Sequence, residues 1–355
     1  MVSLPASELV RALDGPDPLA ALGGAFDPSA GSVIVADCVD LRADVRAQLA
    51  AGSPRLGSLP IVSVAIGSPS RAATAGFDLV VDNEDTAAVI VAAVAANPLA
   101  AGALAWLLRH SSARSVPAGL TAESATYSAL QAGPEHRSWL AHHVRRDRSA
   151  AGEPIRVRRD GNQLRITLAR PEVRNAFDAA TRDALLDALT LATTDPELSI
   201  VLDGDGPVFC SGGDLDEFGT SSDPATAHIV RRARSVGAAL HDLVARTSTV
   251  VHGTCVGAGV ELAAFSGRVF ARPETTFRLP EIEMGLVPGA GGTVSLPRRI
   301  GRQRMAWLAL SGAAINATTA TEWGLVDAVT DAPLPEAKPR EPRAPGAPPP
   351  ASPPG

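Results

Sequence analysis

Residues 251–263 read VHGTCVGAGVELA, and this stretch decides the fold. The β-branched residues before Gly257 predict a strand, and the residues from about 259 onward predict a helix. A strand that turns through small residues into a helix directs several backbone N–H groups into one space, where the helix dipole adds partial positive charge. Glu261 is the only charged residue from 255 to 265. The stretch therefore predicts an oxyanion-binding turn with a carboxylate about one helical turn away.

Two further stretches carry matching features. Residues 206–218, GPVFCSGGDLDEF, predict a strand, a turn of small residues and an acidic helix start. Two strand ends that both finish in small residues can present one N–H each to a single oxygen. Residues 277–292, FRLPEIEMGLVPGAGG, place Glu281 before an apolar loop rich in glycine. Two carboxylates around one water, beside such an oxyanion hole, form a general acid/base site for chemistry next to a carbonyl.

Changes in composition divide the chain into four predicted segments. The first carries β-branched strand candidates and Ala-rich helices, whereas the second, RRDRSAAGEP, is charged and rich in turn formers. The third alternates strands and helices, and the last is too rich in proline to bury a core. We expect an N-terminal α/β domain (1–144), a linker (145–154), a catalytic domain (155–331) and a disordered tail (332–355).

Local patterns predict the elements of these segments. Two alternating runs flank Asp160-Gly161, which is a strong hairpin signal. The strands that we predict lie at 31–40, 59–69, 199–204, 248–256 and 268–273. The helices that we predict lie near 178–193, near 224–246 and from about 259. Short strands with helical crossovers indicate a largely parallel core and an α/β fold class.

The composition excludes several functional classes. The 355 residues are 45% hydrophobic and carry a net charge of −6, whereas nucleic acids and anionic membranes favour a basic face, so we expect neither as a partner. The three cysteines lack metal-ligand spacing and indicate a reducing compartment, and no signal peptide is evident; we expect a cytoplasmic protein without a metal. The uncharged stretch 86–108 is interrupted by Asn97-Pro98, which favours two helices over a membrane span.

Four motifs, in order, resemble those of the crotonase superfamily, specifically the enoyl-CoA hydratases. They are RPEVRNAFD (170–178), FCSGGDL (209–215), VHGTCVGAGVELA (251–263) and PEIEMGLVPGAGGTVSLPRRIG (280–301). The resemblance covers about 154–329 and implies a spiral of repeated ββα turns, here preceded by an α/β or mainly helical N-terminal domain. It also implies an acyl-CoA thioester substrate, no cofactor beyond the coenzyme A of that substrate, and a homo-oligomer, either a trimer or a hexamer.

The resemblance also implies roles for individual residues. Glu261 and Glu281 match the two hydratase glutamates, so Glu261 is expected to activate a water and Glu281 to hold the proton delivered to the α-carbon. The backbone N–H groups of Ser211 and Ala258 match the oxyanion hole. The residues that match substrate or CoA contacts are Arg174, Ala176, Gly212, Gly213, Asp214, Leu215 and Gly257.

The chain departs from the family pattern at its C-terminal end. Family members continue for several helices past the position of WGLVDAV (323–329), whereas a Pro-rich segment follows here. Residues 77–109, together with the later LTAESATYSALQ (120–131), echo WGLVDAV and the helical segment that would follow it. We therefore expect the N-terminal part to be a degenerate crotonase-like piece that covers the site from the other end of the chain.

Two alternative functions stay open at the level of sequence. One is a different crotonase-type reaction: isomerisation, thioester hydrolysis or the cofactor-free dioxygenation of an arylacetyl-CoA. The other is a non-catalytic acyl-CoA-binding or scaffold protein. The presence of both glutamates and of intact glycine-rich loops favours hydration over either alternative.

Overall fold

The computed structural model describes residues 2–22, 33–67, 70–146, 152–220 and 223–331. The predicted tail, and residues 147–151 of the predicted linker, lie outside these residues. On either side of the linker, strands and helices alternate along the chain, and this alternation confirms the predicted α/β class.

The N-terminal part contains a parallel sheet of four strands. β1 (Val2–Pro5), β2 (Val33–Asp37), β3 (Val62–Ile66) and β4 (Leu79–Val81) lie in the order β1-β2-β3-β4. All five residues of β3 are buried, because helices cover both faces of this sheet. The helices between the strands are α1 (Ala6–Asp14), α2 (Pro18–Ala21), α3 (Ala43–Ser58) and α4 (Arg71–Thr74).

Four helices then lead to the second half: α5 (Glu84–Ala96), α6 (Pro98–Arg109), α7 (Val116–Gln131) and α8 (Pro134–His142). The predicted pair of helices joined at Asn97-Pro98 is confirmed. Among the described residues, no single helix is long and apolar enough to cross a membrane; α5 and α6 meet the criterion only as a pair, and this pair is bent by 113°.

A six-stranded sheet forms the centre of the second half. β5 (Ile155–Asp160) and β6 (Gln163–Leu168) pair antiparallel as the predicted hairpin, with Gly161 at φ +55°. β7 (Ser199–Gly204), β8 (Thr247–Val251), β10 (Arg268–Ala271) and β13 (Ala328–Val329) continue the sheet in parallel. A second, three-stranded sheet contains β9 (Thr254–Val256), β11 (Thr276–Arg278) and β12 (Ile315–Asn316).

The helices of the second half follow the strands. They are α9 (Ala179–Thr193), α10 (Pro224–Ala233), α11 (Val236–Asp242), α12 (Ala258–Ala263), α13 (Gly292–Ile300), α14 (Arg302–Ser311) and α15 (Ala317–Trp323), with 3₁₀ turns at Pro171–Val173, Val244–Arg246 and Glu281–Met284. The helix predicted near 178–193 is confirmed. The single helix predicted over 224–246 is wrong: Ser235 accepts a hydrogen bond from the N–H of Ala238 (3.2 Å) and starts a new helix there.

The strand predicted over 248–256 is also two strands. β8 belongs to the six-stranded sheet and β9 to the three-stranded one, and the chain changes sheets at Gly253. Gly253 has φ +56°, and a Cβ there would collide with the carbonyl of Pro207. The helix that follows β9 therefore starts from a sheet that lies apart from the main one.

Apolar residues from both sides of the predicted linker form one buried cluster. α5 and α6 pack against α14, α6 and α7 pack against α13, and α7 packs against α10. The side-chain amide of Gln303 donates to the carbonyls of Thr74 (2.8 Å) and Phe77 (3.1 Å), which attaches α14 to the N-terminal sheet. The N-terminal helices therefore cover the catalytic half and share its core.

This shared core predicts the effect of truncating Leu104. Leu104 lies in α6 and is fully buried in the common cluster, so Leu104→Ala should reduce the free energy of unfolding by about 2–5 kcal/mol. Trp106 lies on the same helix and is 52% exposed. Trp106→Ala is the control and should change stability by much less, as measured by urea denaturation. Equal effects of the two substitutions would contradict the shared core.

Candidate active site

Glu261 lies in the first turn of α12 with its side chain buried. Its Oε2 atom accepts hydrogen bonds from the backbone N–H groups of Ala290 (2.7 Å) and Gly292 (2.8 Å). Its backbone carbonyl accepts a third bond, from the Ser295 hydroxyl (2.9 Å). The start of α13 therefore fixes both the main chain and the carboxylate of Glu261.

Glu281 begins the 3₁₀ turn Glu281–Met284 and is also buried. Its Oε2 atom has no hydrogen-bond partner among the described residues. Its Oε1 atom lies against Gly257, where a Cβ would come within 2.5 Å of that oxygen and where φ is +47°. A side chain at position 257 would thus both strain the backbone and displace the Glu281 carboxyl.

The two glutamates have different proton affinities. Burial raises the pKa of Glu261 to about 7, and the N–H groups of residues 289, 290 and 292 oppose that rise. Burial raises the pKa of Glu281 well above its usual range, and the charge of Glu261 raises it further. Since only its own backbone N–H stabilises a Glu281 carboxylate, whereas three N–H groups stabilise that of Glu261, the proton of the pair belongs on Glu281.

At the turn formed by residues 211–213, the structure differs from the prediction that the Ser211 N–H is an oxyanion donor. The N–H of Ser211 donates to the carbonyl of Arg174 (3.0 Å), so it is not free to serve as the predicted oxyanion donor. The N–H groups of Gly213 and Ala258 have no acceptor among the described residues. Phe177 fixes the chain around Gly213, because its N–H donates to the Gly212 carbonyl (2.8 Å) and its carbonyl accepts from the Asp214 N–H (3.0 Å).

These groups surround a cavity of about 720 Å³. Both predicted glutamates line it, as do five other predicted site residues: Gly212, Gly213, Leu215, Gly257 and Ala258. Ser211 lines it as well, although its N–H is already engaged. Phe177 and Asp178 of the first motif also line the cavity, so the structure brings together all four motifs.

Three predicted substrate-binding residues do not line this cavity. Arg174 is exposed and adopts a left-handed conformation (φ 55°) beside the Ser211 turn. Ala176 is buried, and its N–H donates to the Val173 carbonyl (3.2 Å). The Asp214 carboxylate accepts the Asp216 N–H (3.0 Å), which closes a local turn.

The N-terminal half contributes cavity residues that the sequence analysis did not single out, and two of them lie on α7. Glu123 and Tyr127 lie one helical turn apart on α7 and both line the cavity. The echo of a family helix in this region was the signal available in the sequence. Five arginines also line the cavity and were missed: Arg182, Arg231, Arg232, Arg234 and Arg278.

Residues 159–337 match the sequence profile described as Enoyl-CoA hydratase/isomerase. The chain belongs to this family, which is part of the crotonase superfamily. The predicted recognition of that superfamily is thereby confirmed, and family membership supports a crotonase-type reaction on an acyl-CoA substrate.

Relatives of this family member include several hydratases. It is 37% identical to the 2,3-dehydroadipyl-CoA hydratase of Escherichia coli (strain K12) over 49% of this chain and 68% of the relative. It is 34% identical to the enoyl-CoA isomerase/hydratase fer4 of Mycosarcoma maydis over 46% of this chain and 64% of the relative. It is 32% identical to the enoyl-CoA hydratase structure from Thermoplasma volcanium GSS1, with a TM-score of 0.48, over 51% of this chain and 73% of that one.

The raised pKa of Glu261 predicts how the stability of this family member depends on pH. The folded-state pKa of about 7 exceeds the ordinary value of 4.5, so the buried carboxyl favours folding below about pH 4.5 and that contribution is lost as pH rises through 7. Glu261→Gln removes this dependence. Between pH 5 and pH 8 the difference in unfolding free energy should move by about 2 kcal/mol in favour of the variant.

Urea denaturation at several pH values measures this difference. Glu274 is an exposed glutamate that does not line the cavity. Glu274→Gln therefore serves as the control and should leave the pH dependence of stability unchanged. A pH-independent difference between Glu261→Gln and the wild type would mean that Glu261 titrates normally in the folded protein.

Proposed function

We propose that the chain is an enoyl-CoA hydratase-like enzyme, a hydro-lyase that adds water across the 2,3 double bond of an acyl-CoA thioester. The observation that carries this proposal is the unequal pair of buried glutamates at one cavity. Backbone N–H groups of residues 289, 290 and 292 stabilise the carboxylate of Glu261, whereas Oε2 of Glu281 has no partner among the described residues. Hydration requires one group that accepts a proton and one that donates a proton, and this pair supplies both.

In the proposed reaction, the Glu261 carboxylate takes a proton from a water molecule. The water oxygen forms a bond to the β-carbon, and the electron pair of the double bond moves toward the thioester carbonyl. Glu281 then gives its proton to the α-carbon as the carbonyl re-forms. Net addition of water leaves a proton on Glu261 and a charge on Glu281, and proton exchange restores the starting state.

The negative charge that develops on the thioester oxygen needs hydrogen-bond donors. We assign this role to the N–H groups of Gly213 and Ala258, which line the cavity and have no acceptor among the described residues. Both belong to backbone that hydrogen bonds hold in place, so little reorganisation is needed during the reaction. The loss of one such donor typically raises the barrier by about 3 kcal/mol.

The arginines of the cavity suit the phosphate groups of a CoA thioester. Arg182 on α9, Arg232 on α10 and Arg234 in the turn after α10 line the cavity. The carboxylate of Asp183 accepts from both Arg182 (2.8 Å) and Arg234 (2.9 Å), which holds these two guanidinium groups near one another. Phosphate oxygens accept paired hydrogen bonds from guanidinium groups, so we assign these arginines to the CoA end.

A hydration assay tests the proposal. Purified protein with a trans-2-enoyl-CoA should reduce the absorbance of the conjugated thioester. Glu261→Gln and Glu281→Gln should each lower kcat/KM by about 10²–10⁴-fold, because each removes one proton-transfer group. Glu274→Gln, at an exposed position outside the cavity, should retain the wild-type rate.

Other outcomes discriminate the alternatives. Hydrolysis of the thioester, or migration of a 3,4 double bond without net hydration, would assign the site to another crotonase-type reaction. CoA binding without turnover of any of these substrates would favour a binding protein. Full activity in either glutamate variant would overturn the proposed mechanism.

A further inference from the structure

Four consecutive N–H groups at the start of α13 bind two carboxylates in alternation. Ala290 and Gly292 donate to Oε2 of Glu261, at 2.7 and 2.8 Å. Gly291 donates to Oε1 of Glu123 (2.7 Å), and Thr293 donates to Oε2 of Glu123 through its N–H (2.8 Å) and its hydroxyl (2.7 Å). The same four residues therefore set the positions of both glutamates.

Packing fixes α7, which carries Glu123, against this turn. Gly119 of α7 lies on the Val294 side chain, where a Cβ would come within 2.9 Å of it. The ring of Tyr127 lies on Gly289, and the guanidinium of Arg231 lies 4.7 Å from the centre of that ring. Glu123 itself is only 1% exposed. The helix therefore holds Glu123 at one place on the turn and does not merely shield it.

We propose that Glu123 is a positioning residue for Glu261, through which the N-terminal half of the chain holds the general base of the catalytic half. This inference rests on the proposed function, in which Glu261 activates water. If Glu123 is lost, the N–H groups of Gly291 and Thr293 lose their acceptor. The turn that orients Glu261 then loses the hydrogen bonds that join it to α7. Misplacement of a catalytic group by about 1 Å can lower turnover by about 10²-fold.

The two carboxylates also interact as charges. Burial and the charge of Glu261 together raise the pKa of Glu123 to about 8, against the opposing effect of the hydrogen bonds from Thr293 and Gly291. Other ionisable groups of the described residues that face this pair are Glu281 from the 3₁₀ turn, Tyr127 from α7, Arg231 from α10 and the buried thiol of Cys210. The charge of Glu261 acts on Glu123, which has the higher pKa of the two, so Glu123 stays largely protonated while Glu261 titrates.

Glu123→Gln tests the inference. The amide keeps one acceptor oxygen but turns a donor toward the N–H groups of α13, and it carries no charge. We expect kcat to fall by about 10-fold or more while KM changes by less than about 2-fold, since the substrate contacts remain. We also expect the acid limb of the rate–pH profile to move to higher pH, because displacement of the turn weakens the N–H hydrogen bonds that hold down the pKa of Glu261.

Glu135 provides a matched control in the same half of the chain. Its carboxylate accepts the N–H groups of Leu99 (2.7 Å) and Ala100 (3.0 Å) at the start of α6, and it does not line the cavity. Glu135→Gln makes the same chemical change at a helix start that holds no catalytic group. It should leave kcat and the rate–pH profile at wild-type values, even if the protein is less stable.

A second measurement does not depend on turnover. Carboxyl carbons of ¹³C-labelled glutamate can be titrated by NMR, with the Glu261 signal assigned by its loss in Glu261→Gln. In Glu123→Gln the Glu261 signal should titrate at higher pH than in the wild type, because the displaced N–H groups of residues 290 and 292 stabilise its carboxylate less. If Glu123→Gln does not fold, Thr293→Val, which removes one donor to Glu123, should lower kcat several-fold without a matching change in KM.

The possible results separate the two proposals. A wild-type protein that does not hydrate enoyl-CoA overturns the proposed function, and the NMR titration then decides the role of Glu123 alone. An unchanged Glu261 titration, or a Glu123→Gln variant with the kcat and rate–pH profile of Glu135→Gln, overturns the positioning role.

Discussion

The first turn of α13 is the constraint on which the site depends. The free N–H groups of a helix start are strong donors in a region of partial positive charge, and burial makes it costly to leave them unpaired. Here two carboxylates bind them, and burial would otherwise disfavour the charge on each carboxylate. The hydrogen bonds between them therefore lower the free-energy cost of burying both the N–H groups and the carboxylates. Because Glu261 is one of these two groups, the geometry of the proposed chemistry and the stability of the fold rest on the same hydrogen bonds.

The chain builds this site from both of its halves. α12 and the 3₁₀ turn at Glu281–Met284 supply the two glutamates of the proposed reaction, and α7 supplies the wall opposite them. The expectation that the N-terminal part is a degenerate crotonase-like piece remains a proposal. The packing of α5, α6 and α7 against α10, α13 and α14 is what that expectation requires.

Sequence patterns predicted those features that depend on neighbouring residues. The Asp160-Gly161 hairpin follows from turn chemistry, and the strand–turn–helix around Gly257 follows from a β-branched run next to glycine and a helix former. The break at Ser235 was missed because helix periodicity continues through it, and only the local cap interrupts it. The failure at Gly253 is similar, since a change of sheet leaves little trace in a run of β-branched residues.

The site was less predictable where its parts come from distant segments. The engagement of the Ser211 N–H depends on the carbonyl of Arg174, and no local pattern reveals that contact. Glu123 reads as an ordinary polar residue of a helix, and its role appears only when α7 lies against α13. The motifs thus identified the glutamates and the glycine-rich turns, whereas the assignment of individual donors required the packed structure.

The order of the segments has a consequence for biosynthesis. The hydrogen bonds of Glu123 to Gly291 and Thr293 join residues that are 168 and 170 positions apart. A ribosome completes α5, α6 and α7 long before it makes α13 and α14. The apolar faces of the early helices are therefore exposed to water during that interval. Such long-range contacts slow folding, and exposed apolar surface favours aggregation. The covering helices thus stay exposed on the nascent chain until α13 and α14 have been made.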